Sequence, residues 1–129
     1  MAITIAAAST QAMGAALATN IGSAAILEIR SGTKPATPET AASGTLLVSI
    51  TLSGSFTSTG GVLTAADPAA VAPTASGTAG HFRLKTSGGT AVLDGTVGTS
   101  GADLNLGSTT ITTGVNVDLG VPTITVPVA

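Results

Sequence analysis

From Ala24 onward, apolar and polar positions alternate with a period of two, the pattern of strands that bury one face. Leu27 and Ile29 alternate with Glu28 and Arg30, while Leu46, Val48, Ile50 and Leu52 alternate with Leu47, Ser49 and Thr51. Phe82 and Leu84 face away from His81, Arg83 and Lys85, and after Gly88-Gly89 the residues Ala91, Leu93 and Val97 alternate with Val92, Asp94 and Thr96. A glycine pair between two alternating runs predicts a β-hairpin. Val115, Val117 and Leu119 stand against Asn116 and Asp118, and Ile124, Val126 and Val128 stand against Thr123, Thr125 and Pro127. Pro122 and Pro127 lack an amide donor and place this last strand at a sheet edge, where partners can add on.

Before Ala24 the period is helical. Ser9 and Thr10 are suited to cap a helix N-terminus, Met13, Leu17 and Ile21 follow at i, i+4 and i+8, and Gly22 stands where a C-cap belongs. The helix is expected to pack on its own domain, with partner docking by its Ala-rich back as the competing use. Two stretches, 31–44 with Pro35 and Pro38 and 67–77 with Pro68 and Pro73, are too poor in large apolar residues to fold alone and are expected to form exposed arms. About eight short strands separated by turn residues predict an all-β, jelly-roll-like β-sandwich of two four-stranded sheets with one short N-terminal helix, a single domain over 1–129. No period of about 20–50 residues marks a repeat architecture.

Composition adds a second constraint. Only 8% of the 129 residues are charged, against roughly 25% in an ordinary soluble domain. A surface of Thr, Ser, Ala and Gly repels neighbours weakly and suits an assembly component. Phe56 and Phe82 are the only aromatics, so aliphatic side chains, each contributing about 1.5–3 kcal/mol when fully buried, must fill the core. Stability spread over such small contacts is expected to gain from a homo-oligomer, a dimer or trimer, or from docking on a partner. With no Cys there is neither a disulfide framework nor a thiolate site. The net charge is −2 and Arg30, Lys34, Arg83 and Lys85 are the only fixed cations, which argues against direct nucleic-acid binding, where clustered Lys and Arg neutralise phosphates. Met1 to Ala8 lacks the basic start of a signal peptide, and no apolar run approaches the ~20 residues of a membrane span.

The chain offers little for catalysis. His81 is the sole imidazole and has no carboxylate among its nearest sequence neighbours to orient it as a base, so a surface or interface histidine is expected. Glu28, Glu39, Asp67, Asp94, Asp103 and Asp118 are scattered, without the spacing of a calcium loop or of an acid/base pair. Glycines 95, 98 and 101 lack the order, the downstream Lys-Ser/Thr and the helix of a phosphate loop. No Ser-centred elbow is present. The expectation is a non-enzyme without cofactor or metal. A carbohydrate-binding module would need an aromatic platform, and Trp and Tyr are absent.

The opening Met1-Ala-Ile-Thr-Ile5, the central His81-Phe-Arg-Leu84 and Val92-Leu-Asp-Gly-Thr-Val97, and the run Gly98-Thr-Ser-Gly-Ala-Asp-Leu-Asn-Leu106 resemble the small β-rich virion proteins of tailed bacteriophages, the kind that includes capsid cement or decoration proteins. The likeness extends to the closing Thr123-Ile-Thr-Val-Pro127. The resemblance implies a jelly-roll-like protein, made in the host cytoplasm, that sits on the virion's capsid surface, binds the shell of major capsid protein and bridges neighbouring capsomers. It carries over contact surfaces rather than active residues. Exposure and edge character nominate three contact regions: Ile3 and Ile5, the arm with Lys34, Pro35 and Glu39, and the edge with Ile124, Val126 and Val128. A tail- or fibre-associated virion protein with a host-binding or adaptor role is the alternative.

Overall fold

The alternation over 24–51 and 81–97 becomes one sheet. In a computed structural model describing residues 3–121 and 123–125, strands β1 (Ile26–Arg30), β2 (Leu46–Thr51), β6 (His81–Lys85), β7 (Ala91–Gly98) and β8 (Leu104–Asn105) form a five-stranded sheet in the order β2-β1-β6-β7-β8. Register puts residues of like parity on one face. Leu27 lies opposite Ile50 and Leu84, Ile29 opposite Val48 and Phe82, and Leu84 opposite Leu93. These cross-strand apolar pairs are the unit of sheet stabilisation, and their members form the core with Leu63, Phe56, Ile21 and Ile111. The β6–β7 hairpin forms as its sequence predicts, with the Gly89 N–H donating to the Thr86 carbonyl at 2.9 Å. At Leu47 the alternation fails. A bulge between β1 and β2 skips this residue, its carbonyl accepts the Thr74 N–H at 2.8 Å, and its side chain is buried alongside that of Val48.

Strand β8 runs parallel to β7 after only a tight turn. Asp103 closes that turn by accepting from the Thr96 N–H at 2.9 Å, and the Asn105 side chain accepts from the Ala102 N–H at 3.0 Å.

A second group of elements backs the apolar face. Strands β3 (Thr57–Thr59) and β4 (Val62–Thr64) form a hairpin, and β10 (Thr123–Thr125) pairs with the other side of β4. The two residues of the hairpin turn, Gly60 and Gly61, both have positive φ, a conformation that selects glycine. Helix α1 (Ala7–Ile21) lies on this hairpin. Gln11 ties the two together, donating from Nε2 to the Ser58 carbonyl at 2.8 Å and accepting the Gly60 N–H.

The helix differs from its sequence reading at one end and along its buried side. It begins at Ala7 with Ala6 in the cap position and no side-chain cap, so Ser9 and Thr10 lie inside it. Its C-terminus is as expected, with the Gly22 N–H bonded to Ala18 O at 3.0 Å. Thr10, Gly14, Ala18 and Ile21 form the buried stripe, whereas Met13 is 42% exposed. Small residues face inward because the hairpin backbone comes so close that a Cβ on Gly14 would strike Ser58 Oγ and meet the Gly61 Cα.

A two-stranded ladder of β5 (Gly77–Thr78) and β9 (Thr110–Ile111) completes the described strands. The chain is thus mostly β with one short helix, as expected. Its strands divide five, three and two rather than four and four, and ten are present among the described residues. The alternation at 115–119 does not make a strand. Only Val117 joins a bridge, to Val71, and Val115 is 63% exposed.

Both proline-containing stretches fold back on the body. Residues 67–77 are held by the Val71–Val117 bridge and by bonds from the Thr74 and Ala75 amides to Leu47 O, with Pro68 and Pro73 buried. Residues 31–44 carry no regular structure and are mostly exposed.

Candidate functional site

Parity on the five-stranded sheet gathers the chain's charge. Glu28, Arg30, Arg83, Lys85 and Asp94, half of the ten charged residues, share the face opposite the apolar one, together with His81. Across the strands Glu28 lies opposite Ser49 and Arg83, and Arg83 lies opposite Asp94, so one row of the sheet reads Ser49, Glu28, Arg83, Asp94. Such a row is sound when unlike charges are neighbours.

The centre of this polar face is not open to water. Glu28 is 8% exposed, Arg83 5% and His81 0%. The expectation of a surface or interface histidine is therefore wrong. His81 is interior, its Nδ1 lies 3.3 Å from the Gly32 carbonyl, and its Nε2 has no hydrogen-bond partner among the described residues. The 31–44 segment supplies cover through Gly32 and Thr40.

Arg83 is the centre of the arrangement. Its Nε donates to Asp94 Oδ1 at 2.7 Å and its Nη2 to Asp94 Oδ2 at 2.8 Å, a planar two-bond contact that only arginine makes. The same Nη2 donates to the Thr40 carbonyl at 2.7 Å. The bond to the Asp94 carboxylate raises the Arg83 pKa above the ordinary arginine value, burial opposes this, and the negative charges of Asp94, Glu28 and Glu39 add to the rise. A raised cation pKa contributes stability that is present at every pH below the arginine range and is lost only above it. The group is a fixed charge at neutral pH. Glu28 is shared by Arg30 (Nε–Oε1 3.2 Å) and Lys85 (Nζ–Oε2 3.1 Å), both more open to solvent.

The 31–44 loop closes at a neck. The Ser31 N–H donates to Thr45 O at 3.0 Å and the Thr45 N–H returns a bond to Ser31 Oγ at 2.9 Å. Ser43 Oγ donates to Thr33 O at 2.6 Å. Gly44 has a φ of +71°, and a Cβ there would run into the Ser31 carbonyl, so the neck is closed to larger residues.

Of the nominated contact residues, Lys34, Pro35 and Glu39 lie together on this loop, the two charged ones exposed and Pro35 half-buried. Ile3 is 63% exposed ahead of the helix, and Ile5 is half-buried. Ile124 sits on β10, the edge strand of the three-stranded sheet, half-buried and lining a groove of about 600 Å³ with Leu17, Phe82 and Leu93. Val126 and Val128 lie outside the described residues, as do Pro122 and Pro127. The loop residues lie over the charged face and Ile124 beside the apolar one, so the five-stranded sheet separates these two groups.

The sequence reading missed the Arg83–Asp94–Thr40 constellation. Its signal was the shared parity of residues 28, 30, 81, 83, 85 and 94, which alternation alone assigns to solvent. Among the described residues, no group of three or more His, Cys, Asp or Glu could hold a metal ion, and no helix is long and apolar enough to cross a membrane. Compared with known proteins, the chain matches no family model, no curated protein sequence and no solved structure.

Proposed function

We propose that this chain is a non-enzymatic structural virion protein, a capsid cement protein that binds the outer face of a shell of major capsid protein and stabilises it by bridging capsomers. One observation carries the reading. The exterior is as poor in charge as the composition, because the sheet and its covering loop bury or half-bury five charged side chains and leave only Lys34, Glu39, Asp67, Asp103 and Asp118 exposed on 6615 Å² of surface. Densely charged surfaces keep soluble proteins apart, and a surface with so few charges is suited to lasting contact. In this reading the five- and three-stranded sheets are the layers of a jelly-roll-like sandwich, and the protein is itself a dimer or trimer.

The mechanism is mass action. A protein that binds the assembled lattice and not its separated subunits stabilises the lattice by its binding free energy, repeated over many copies. Attachment through apolar contact and backbone hydrogen bonds is expected to be only weakly salt-dependent, since screening acts on exposed charges. Titrating purified shells with the protein at low and high ionic strength tests this, and a steep loss of binding with salt would contradict it. Densitometry of purified particles tests the placement. Copy number on the scale of the capsomers supports a cement role, copy number on the scale of the tail transfers the chain to a tail or fibre role, and absence from particles ends the proposal.

A further inference from the structure

We propose that Arg83 is a positioning residue that sets the shape of the 31–45 loop and thereby of the surface offered to the capsid shell, a role that rests on the cement reading above and on this loop, nominated from the sequence, being a contact segment. The loop is too poor in large apolar residues to order itself by burial, so its polar bonds decide its shape. Its neck is fixed by Ser31 and Thr45. Its far end is a turn in which the Thr40 N–H bonds to Thr37 O at 3.1 Å and the two threonine hydroxyls meet at 3.2 Å, with Pro38 in the position such turns favour. Pro38 and Glu39 form the tip.

The turn's hydrogen bond to the sheet runs through one atom, Thr40 O, and that atom is held by Arg83 Nη2. The guanidinium cannot swing, because Asp94 grips it twice and strand register sets Arg83 directly opposite Asp94. Sheet geometry is thus transmitted to the loop tip through a rigid planar group. A lysine ammonium could not span both partners in this way.

Glu28 and Glu39 are the only glutamates of the chain, and Glu28 is buried in β1, so a glutamate-specific endopeptidase reports on the loop tip. The test compares the parent, Arg83→Lys, and the double variant Arg83→Met with Asp94→Leu, which removes the charges while keeping packing. Thermal midpoint, rate of cleavage after Glu39 and attachment to purified shells are measured for each. The expected result is a double variant that melts near the parent, is cut about tenfold faster or more, the factor carried by one hydrogen bond from a charged donor, and binds shells about tenfold more weakly. Arg83→Lys is expected to be cut faster as well, and it decides the matter, read at an equal distance below its own midpoint, if the double variant does not fold. Cleavage at the parent rate in a folded variant overturns the proposal. Faster cleavage with unchanged attachment overturns it too, because the shape of the loop would not govern binding. A parent protein that ignores shells overturns the functional reading instead, while cleavage still reports whether Arg83 holds the loop.

Discussion

Arg83→Ala is expected to lower the unfolding free energy by about 3–5 kcal/mol, the usual cost of removing one partner from a buried ion pair. The Asp94 side chain is 2% exposed and that of Arg83 6%, so the surviving carboxylate would lose both of its donors in a nearly closed site. The Thr40 carbonyl would lose its donor as well. Against a total stability of about 5–15 kcal/mol for a domain, the loss corresponds to a fall in midpoint on the order of 10–20 °C. Scanning calorimetry reads it. Lys85→Ala provides the contrast, since its partner Glu28 keeps Arg30 and the side chain is 24% exposed, and a cost within about 1 kcal/mol is expected there. Equal effects of the two substitutions would show that the Arg83–Asp94 pair is solvated like a surface bridge.

Phe82→Ala is expected to cost about 3–5 kcal/mol, the usual range for a core aromatic. The residue opposite Phe82 on β7 is Gly95, and a Cβ placed on Gly95 would run into the Phe82 ring. The ring therefore occupies the volume that a side chain at 95 would take, with the Asp103 Cβ bordering the same space. Gly95→Ala alone is expected to destabilise by overpacking, about 1–3 kcal/mol. Combined with Phe82→Ala it should cost less than the sum, and a double-mutant cycle from denaturant unfolding measures the coupling. Strict additivity would mean that the ring and the glycine do not share this space.

Alternation in the sequence made the centre of the fold legible. The β6–β7 hairpin, β1, β2, the helix with its Gly22 terminus and the edge position of β10 are all readable from period, turn glycines and cap residues. The 57–64 hairpin carried an equally plain signal in Gly60-Gly61, but its three-residue strands are too short to show a period. The site was less legible for a definite reason. Period two states which residues share a face and not what covers that face, so Glu28, His81 and Arg83 read as solvated until the 31–44 loop was seen above them. The same limit explains Val115 and Leu119, whose alternation matched a strand although only Val117 joins a β-bridge. In the helix, large residues suggested the buried side, yet the close approach of the β3–β4 turn favours Gly14 and Ala18.

The order of the strands in the central sheet also bears on how the chain reaches this state. Strand β1 can pair with β2 early, but its other edge meets β6 only after all of residues 31–80 have been synthesised, so that edge waits open while the local β6–β7 hairpin can form by itself, and sheets with such distant pairings fold slowly. During that wait Ile-Leu-Glu-Ile-Arg at 26–30 and His-Phe-Arg-Leu-Lys at 81–85 would be sticky ribbons but for the ionic groups spaced through them, which act as gatekeepers against pairing between copies. The double exchange of Arg83 to Met and Asp94 to Leu is then expected to reduce refolding yield at high protein concentration even where the finished fold is equally stable, and an undiminished yield would remove this role from the charges.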